Sequence, residues 1–443
     1  MSNDTLTVEA ATIADADIFS QRQALSAHLP EWFRSLQQAH WARYLELPEP
    51  RRLDERWRFA NLRRLQDIGR FSPTPFERPE ADDLVERAQV VENCAGRLLF
   101  VDDNLAAARE MDPELEKQGV IFTTLGDALN RHGDLVKKYF MAETPDLGSE
   151  KYEALHVALL RSGVFLYVPD NVEVKRPFVV YNFTQRNGGA IFPHTLFVTG
   201  RNARATLVDY QAAASPDTEH LVIANAHIHT GDGAESHHRI IQNWNERTLS
   251  FQLNTNNAQR DSQAKSIIVN IGSAQARQEV HGKIFGSGSN VEMYSVNVPT
   301  GEQEFDQRTL QTHIAPNSRS DLLFKNALLD QTRTIFSGLI IVEENAQQTD
   351  AYQTNNNLML SEEAESNSLP GLEIKANDVK CSHGATTGRI DESNMFYFLA
   401  RGIPPAGARE LLVFGFLEEI IQKFETPAMA EHVRSLLAAK FHL

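Results

Sequence analysis

Near Val164 the apolar residues change period, from the three-and-four spacing of helices to an alternation of two, and they keep that alternation for about two hundred residues. Short runs such as Phe178-Val179-Val180-Tyr181, Thr195-Leu196-Phe197-Val198, Ala205-Thr206-Leu207-Val208, Ser266-Ile267-Ile268-Val269, Val291-Glu292-Met293-Tyr294, Asp321-Leu322-Leu323-Phe324 and Thr334-Ile335-Phe336 are separated by Gly, Asn, Asp and Ser. Many short strands with turn residues between them predict a sandwich, a barrel or a β-helix. No strict repeat is present, only loosely regular coils in the later half, so periodicity leaves the choice open.

Helical patterns flank this stretch. From Phe19 to Leu45 apolar residues recur at mixed three and four spacings, with Pro30 suited to a helix start and Pro48 and Pro50 ending the pattern. Further periodic segments run from Ala106 to Glu116 and from Leu125 to Phe140. At the other end, Asp391 is placed as an N-cap, Gly402 as a C-terminal stop, and Pro404 or Pro405 as the opening of a last apolar helix. The expected organisation is a mainly helical domain over 1–150, a β core over 151–388 and a helical domain over 389–443.

At 443 residues the chain has enough apolar content for several cores. Its formal charge of -16, from 43 basic and 59 acidic side chains, opposes nucleic-acid binding. No apolar run approaches the roughly 20 residues that span a bilayer, so no membrane is expected. Two cysteines make no disulfide framework, and no basic patch with an apolar run opens the sequence, so a cytoplasmic location is expected.

Chemistry concentrates at Asp378-Val379-Lys380-Cys381-Ser382-His383-Gly384-Ala385-Thr386. On an extended backbone Cys381 and His383 project to one side while Ser382 points away. Thiolate and imidazole suit iron, zinc or copper. Two ligands do not close a site that usually takes about four, and Cys94 lies far upstream, so the simplest completion is a second polypeptide. A reduced cysteine beside valine also serves as a small core hydrophobe, and spacing alone leaves both readings open.

Other candidates carry less. His227-Ile228-His229 and His237-His238 offer metal ligands on a strand, or simply the solvated face of an edge strand. Glu343-Glu344 and Glu362-Glu363 read as solvent-facing loops. Gly286-Ser287-Gly288-Ser289-Asn290 lacks dinucleotide spacing, Gly282-Lys283 lacks the rest of a phosphate-binding loop, and no GxSxG elbow is present, so no nucleotide is expected on this chain.

The text around the Cys-x-His pair resembles the C-terminal signature of the SufB/SufD family of iron-sulfur cluster assembly scaffolds, through Arg389-Ile390-Asp391 and Phe396-Tyr397-Phe398-Leu399-Ala400-Arg401-Gly402-Ile403. The similarity extends upstream through Leu372-Glu373-Ile374, Ala346-Gln347-Gln348-Thr349-Asp350-Ala351-Tyr352-Gln353-Thr354-Asn355, Phe336-Ser337-Gly338-Leu339-Ile340, Asp306, His313, Ala315-Pro316 and Ser320. It reaches Ala154-Leu155-His156-Val157-Ala158, Gly163-Val164-Phe165-Leu166-Tyr167-Val168-Pro169, and Leu47-Pro48 with Asp54-Glu55-Arg56-Trp57-Arg58. His156 departs from the family pattern, which has Asn there. SufB-like chains carry His-Glu-Ala-Thr where this chain has His383-Gly384-Ala385-Thr386, so Gly384 resembles the SufD branch.

That resemblance implies a right-handed parallel β-helix with helical ends and a noncatalytic scaffold role. It implies SufB and the SufC ATPase as partners, and a homodimer for the chain in isolation. It further implies a transient iron-sulfur cluster at the SufB interface, with His383 as this chain's main ligand and Cys381 as a secondary one. Arg401, Gly402, Ile403, Leu411, Leu412 and Phe416 are expected to meet SufC. Whether a flavin takes part is not written in the sequence. The alternatives are a SufB-type primary scaffold, or a carbohydrate-active β-helix enzyme.

Overall fold

A computed structural model describes residues 16–441 except 77, 78, 80, 89, 92, 108 and 162. Its core is a parallel β-solenoid of about eight coils. Successive strands alternate between two sheets, so each strand pairs with the next but one in sequence, about 30 residues away. One sheet runs from Val164–Val168 through His194–Thr199, His220–Thr230, Thr248–Ala258, Gln275–Ile284, Glu304–His313 and Arg333–Val342 to Glu365–Ile374. The other runs from Phe178–Thr184 through Arg204–Ala213, Glu235–Asn243, Gln263–Asn270, Asn290–Asn297, Arg319–Leu328 and Thr349–Met359 to Val379–Arg389. Every strand run read from the sequence lies in one of these, and the β-helix is the architecture that periodicity left open.

Over most of the coils both sheets are covered outside as well as filled inside, as parallel sheets require. Leu221, Ile223, Leu249, Phe251 and Leu253 of the first sheet pack against Trp41, Tyr44, Trp57, Tyr152 and Leu155 of the N-terminal region. Val208, Tyr210, Ile241, Ile267, Val269, Tyr294 and Val296 of the second pack under Val413, Leu417, Ile420, Val433 and Leu437. Alternation turns the intervening residues inward.

One inward column is an unbroken run of amides. Asn182, Gln211, Gln242, Asn270, Asn297, Asn326 and Asn357 are in register on seven consecutive coils, and Thr387 follows on the last. Gln242 Nε2 donates to Asn270 Oδ1 at 2.6 Å and Asn326 Nδ2 to Asn357 Oδ1 at 2.7 Å. Stacked amides of this kind fix register, because a slip of one residue would bury them without partners.

The front region holds helices Ala16–Leu25 and Glu31–Glu46, the latter opened by Pro30, and Leu125–Arg131 with Gly133–Tyr139. Strands enter here too: Gly96–Val101 pairs in parallel with Phe178–Thr184. The helix expected over Ala106 to Glu116 is mostly absent. Asn104–Leu105 and Glu110–Met111 pair antiparallel with Gly96–Val101, and only Pro113–Lys117 is helical. Pro113 restricts Asp112 to extended backbone, and the Asp112 side chain caps the turn by accepting from Glu114 N, so the helix cannot start earlier.

At the other end Asp391 caps helix Glu392–Leu399 through Ser393 N, and Gly402 takes φ of 80°. Pro404 precedes helix Pro405–Ile421, and Pro427–Phe441 returns antiparallel to it over the second sheet.

Candidate functional site at the open end of the solenoid

The last coil is built from Glu365–Ile374 and Val379–Arg389, and among the described residues no further strand pairs beyond it. No residue of either strand is fully buried, whereas the inward residues of Thr349–Met359 one coil below are buried from Thr349 through Asn357. The solenoid therefore ends with its inward side chains open to solvent.

Register fixes which side chains these are. Val379, Cys381, His383, Ala385 and Thr387 stand over Thr349, Ala351, Gln353, Asn355 and Asn357. All five partners point inward and are buried. Cys381 and His383 thus share the inner face, as their spacing predicts. Cys381 is half-buried against the cluster of Ile340, Val342, Ala346, Ala351 and Ala376, while His383 is exposed at the mouth. Burial pushes the Cys381 thiol above its ordinary value, and Asp350 adds to this. The thiol rather than the thiolate is accordingly favoured at neutral pH in the chain alone.

Gly384 lies on the opposite, outward face, and nothing lies within 4 Å of where its Cβ would stand. A glutamate at this position would project away from Cys381 and His383. Among the described residues no group of three or more His, Cys, Asp or Glu side chains is placed to hold a metal ion. The inner face of the end coil presents one thiol and one imidazole, Cys381 and His383. Cys94 does not join them: it packs near the second sheet's first coils, with its Sγ 3.8 Å from Arg97 Nη2.

The six residues expected to meet an ATPase differ in exposure. Arg401, Gly402 and Leu411 are exposed. Ile403 and Leu412 are half-buried. Phe416 turns toward the core, packed with the cluster under the C-terminal helices and lying beneath Lys325, whose Nζ is 5.0 Å from its ring centre. The exposed group is joined by Phe396, Tyr397 and Leu399 on helix Glu392–Leu399, none of whose residues is buried. Arg401 lies 3.6 Å over the Tyr397 ring. Phe396 is 71% exposed.

Two expectations about histidines need correction. His227-Ile228-His229 is not the solvated face of an edge strand. Its strand lies inside the first sheet; His227 is buried with its ring edge-to-face with His194, and His229 lies against Tyr139 of the front helices. His237 and His238 fall on opposite faces. His238 turns into the lumen, and His237 Nδ1 pairs with Glu425 Oε2 at 3.0 Å, holding that carboxyl down at about 2. Neither pair contributes to a metal-binding group among the described residues. Glu343 and Glu362 are surface groups as expected, paired with Lys375 and Arg389. Gly282-Lys283 lies within strand Gln275–Ile284 and forms no loop that could cradle phosphate.

Comparison with known proteins agrees with this architecture. Residues 16–180 match the family described as SufBD protein N-terminal region, and residues 181–416 match SUF system FeS cluster assembly, SufBD core domain. The chain is 29% identical to the iron-sulfur cluster assembly protein SufD of Bacillus subtilis over 416 residues, covering 93% of this chain and 94% of that protein. It is 27% identical to SufD of Escherichia coli over 401 residues, covering 89% and 90%. A chloroplastic SufBD family protein of Arabidopsis thaliana is 27% identical over 434 residues, covering 93% and 77%. With both family regions matched in order along one continuous solenoid, the chain belongs to the SufBD family of iron-sulfur cluster assembly proteins.

Proposed function

We propose that this chain is a noncatalytic, SufD-type scaffold subunit that closes one wall of an iron-sulfur assembly site together with a SufB-type partner. The observation that carries this reading is the uncovered last coil, whose inner face holds Cys381 and His383. The free edges of Glu365–Ile374 and Val379–Arg389 suit a partner that continues the solenoid by adding strands. A SufB subunit seated there brings the missing ligands, and the cluster is cargo built at the junction and passed on. His383, already exposed, is the first ligand, and the half-buried Cys381 the second.

The ATP that drives rearrangement belongs to a SufC-type ATPase, since the chain carries no phosphate-binding loop. Its docking face is the exposed patch of Phe396, Tyr397, Arg401 and Leu411. The setting is the cytoplasm. In the absence of SufB, two copies of the chain pair through the same open end.

Co-expression with SufB and SufC tests the reading. A ternary complex that forms an iron-sulfur chromophore on supply of iron and sulfide is expected, with no ATP hydrolysis by the purified chain alone. A chain that hydrolyses ATP or degrades polyuronates by itself, and that ignores both partners, would contradict it.

A further inference from the structure

The front region packs onto the first sheet without filling all the space between its own segments. Where helix Glu31–Glu46, the short helical stretch Arg64–Arg70 and helix Glu150–Leu159 come together, they leave a cavity of about 410 Å³. Pro50, Leu62, Leu65 and Ile68 give it apolar walls. Tyr152 closes its base, with its ring centre 4.3 Å from that of Phe251 on the first sheet and 5.9 Å from that of Trp57. Folded interiors seldom keep voids larger than a water molecule, and this one has the volume of a small-molecule site.

The cavity has one polar corner. Tyr44 lines it and is only 7% exposed, yet its Oη makes no hydrogen bond with any described residue. Tyr152 Oη, more deeply set, is also without a partner. Burial, with Glu49 nearby, pushes the Tyr44 phenol up to about 12 and Tyr152 in the same direction, so both keep their O–H at neutral pH. Glu49 and Gln66 stand exposed at the mouth. Glu49 Oε1 lies 3.1 Å from Lys151 Nζ, and the same ammonium donates to Tyr44 O at 3.0 Å and to Leu47 O at 2.7 Å. Its three N–H bonds are thereby committed. No described lysine or arginine lines the cavity itself.

This lining selects its occupant. An anion would leave water to meet the Glu49 carboxylate with no free cation to offset the loss. An apolar ring with one hydroxyl fits better: its oxygen accepts from the Tyr44 O–H, its own proton goes to a carboxylate or phenol oxygen of the same corner, and the walls enclose the rest. We propose that this cavity is a binding site for an uncharged ring compound bearing a hydroxyl, a phenol or a cyclic alcohol. The site is separate from the open end of the solenoid and does not depend on the cluster-assembly reading. A ligand seated there touches all three segments and ties the front region together.

Calorimetric titration and 19F NMR on the full-length chain test this, using 4-fluorophenol as the probe and 4-fluorobenzoate as an anion of similar size. The phenol should bind saturably at one site per chain, and the benzoate should not. Tyr44→Phe, which keeps the packed ring and removes only the hydroxyl, should weaken the phenol about two- to tenfold, the loss of one neutral hydrogen bond. Leu62→Trp, which replaces an apolar wall residue with a larger one, should abolish binding. Benzoate binding as tight as that of the phenol, phenol binding unchanged in both variants, or no saturable binding at all overturns the proposal. If Leu62→Trp fails to fold, Tyr44→Phe decides alone, and an affinity equal to that of the wild type overturns it.

Discussion

Lys325 Nζ donates to the backbone oxygen of Phe416 at 2.8 Å and to Glu419 Oε2 at 2.6 Å while lying over the Phe416 ring. One lysine of the second sheet thus fastens helix Pro405–Ile421 to the solenoid, and Phe416 is part of that fastening. Phe416→Ala should lower unfolding stability by about 1–3 kcal/mol, less than the cost at a fully buried phenylalanine because the ring is half-buried. Leu411→Asp, at an exposed position on the same helix, should stay within about 0.5 kcal/mol of wild type. Chemical denaturation separates the two. Copurification with SufC should then be lost in Leu411→Asp or Phe396→Asp without loss of fold, and undiminished capture by both variants would place the docking face elsewhere.

The amide column makes a prediction about stability. Asn326 accepts from Gln307 Nε2 at 2.8 Å and donates to Asn355 and Asn357. Asn326→Ala leaves these buried amides short of partners, each costing about 1–3 kcal/mol. A loss of at least about 2 kcal/mol is expected, measured by urea unfolding. A variant as stable as wild type would mean that the ladder contributes little.

Acid sensitivity follows from the buried histidines. Burial lowers His156, His229 and His313 to about 4 and His238 and His281 to about 3, and it holds His194 and His227 well below the ordinary value. Between pH 6.5 and about 4 the unfolded chain therefore binds more protons than the folded one at these sites, and their contribution to stability falls as pH falls. Asp209 runs the other way. Burial raises it to about 6, so its contribution is greatest below the unfolded value of 3.8 and is lost as pH rises through about 6. The histidines are more numerous, so thermal unfolding temperatures should drop from pH 7 to pH 5. His227→Leu should flatten that drop, while Asp209→Asn should raise stability at pH 8 relative to pH 4. Opposite signs for either variant would contradict the burial described here.

Much of this was legible in the sequence, for physical reasons that differ by element. The strand runs announce themselves because alternation persists on every coil, and the Cys381–His383 face follows from the two-residue period alone. The amide ladder escaped because its rungs, from Asn182 to Asn357, are unevenly spaced by loops of different length, so no fixed repeat exposes them. His227 was misread as solvated because polar residues in a strand usually face water, whereas here helices cover the outside of the sheet.

In the proposed function the open end of the solenoid supplies cluster ligands, with His383 ahead of Cys381. The most direct measurement is reconstitution of the complex with SufB and SufC from iron and sulfide, comparing iron and acid-labile sulfide per complex in wild type, His383→Ala and Cys381→Ser. The prediction is that all three complexes assemble, that His383→Ala loses most of its cluster, and that Cys381→Ser loses less, because serine fills the packed site over Ala351 although it ligates iron poorly. Full cluster yields in both variants would contradict the claim, leaving the end coil as an interface without ligands.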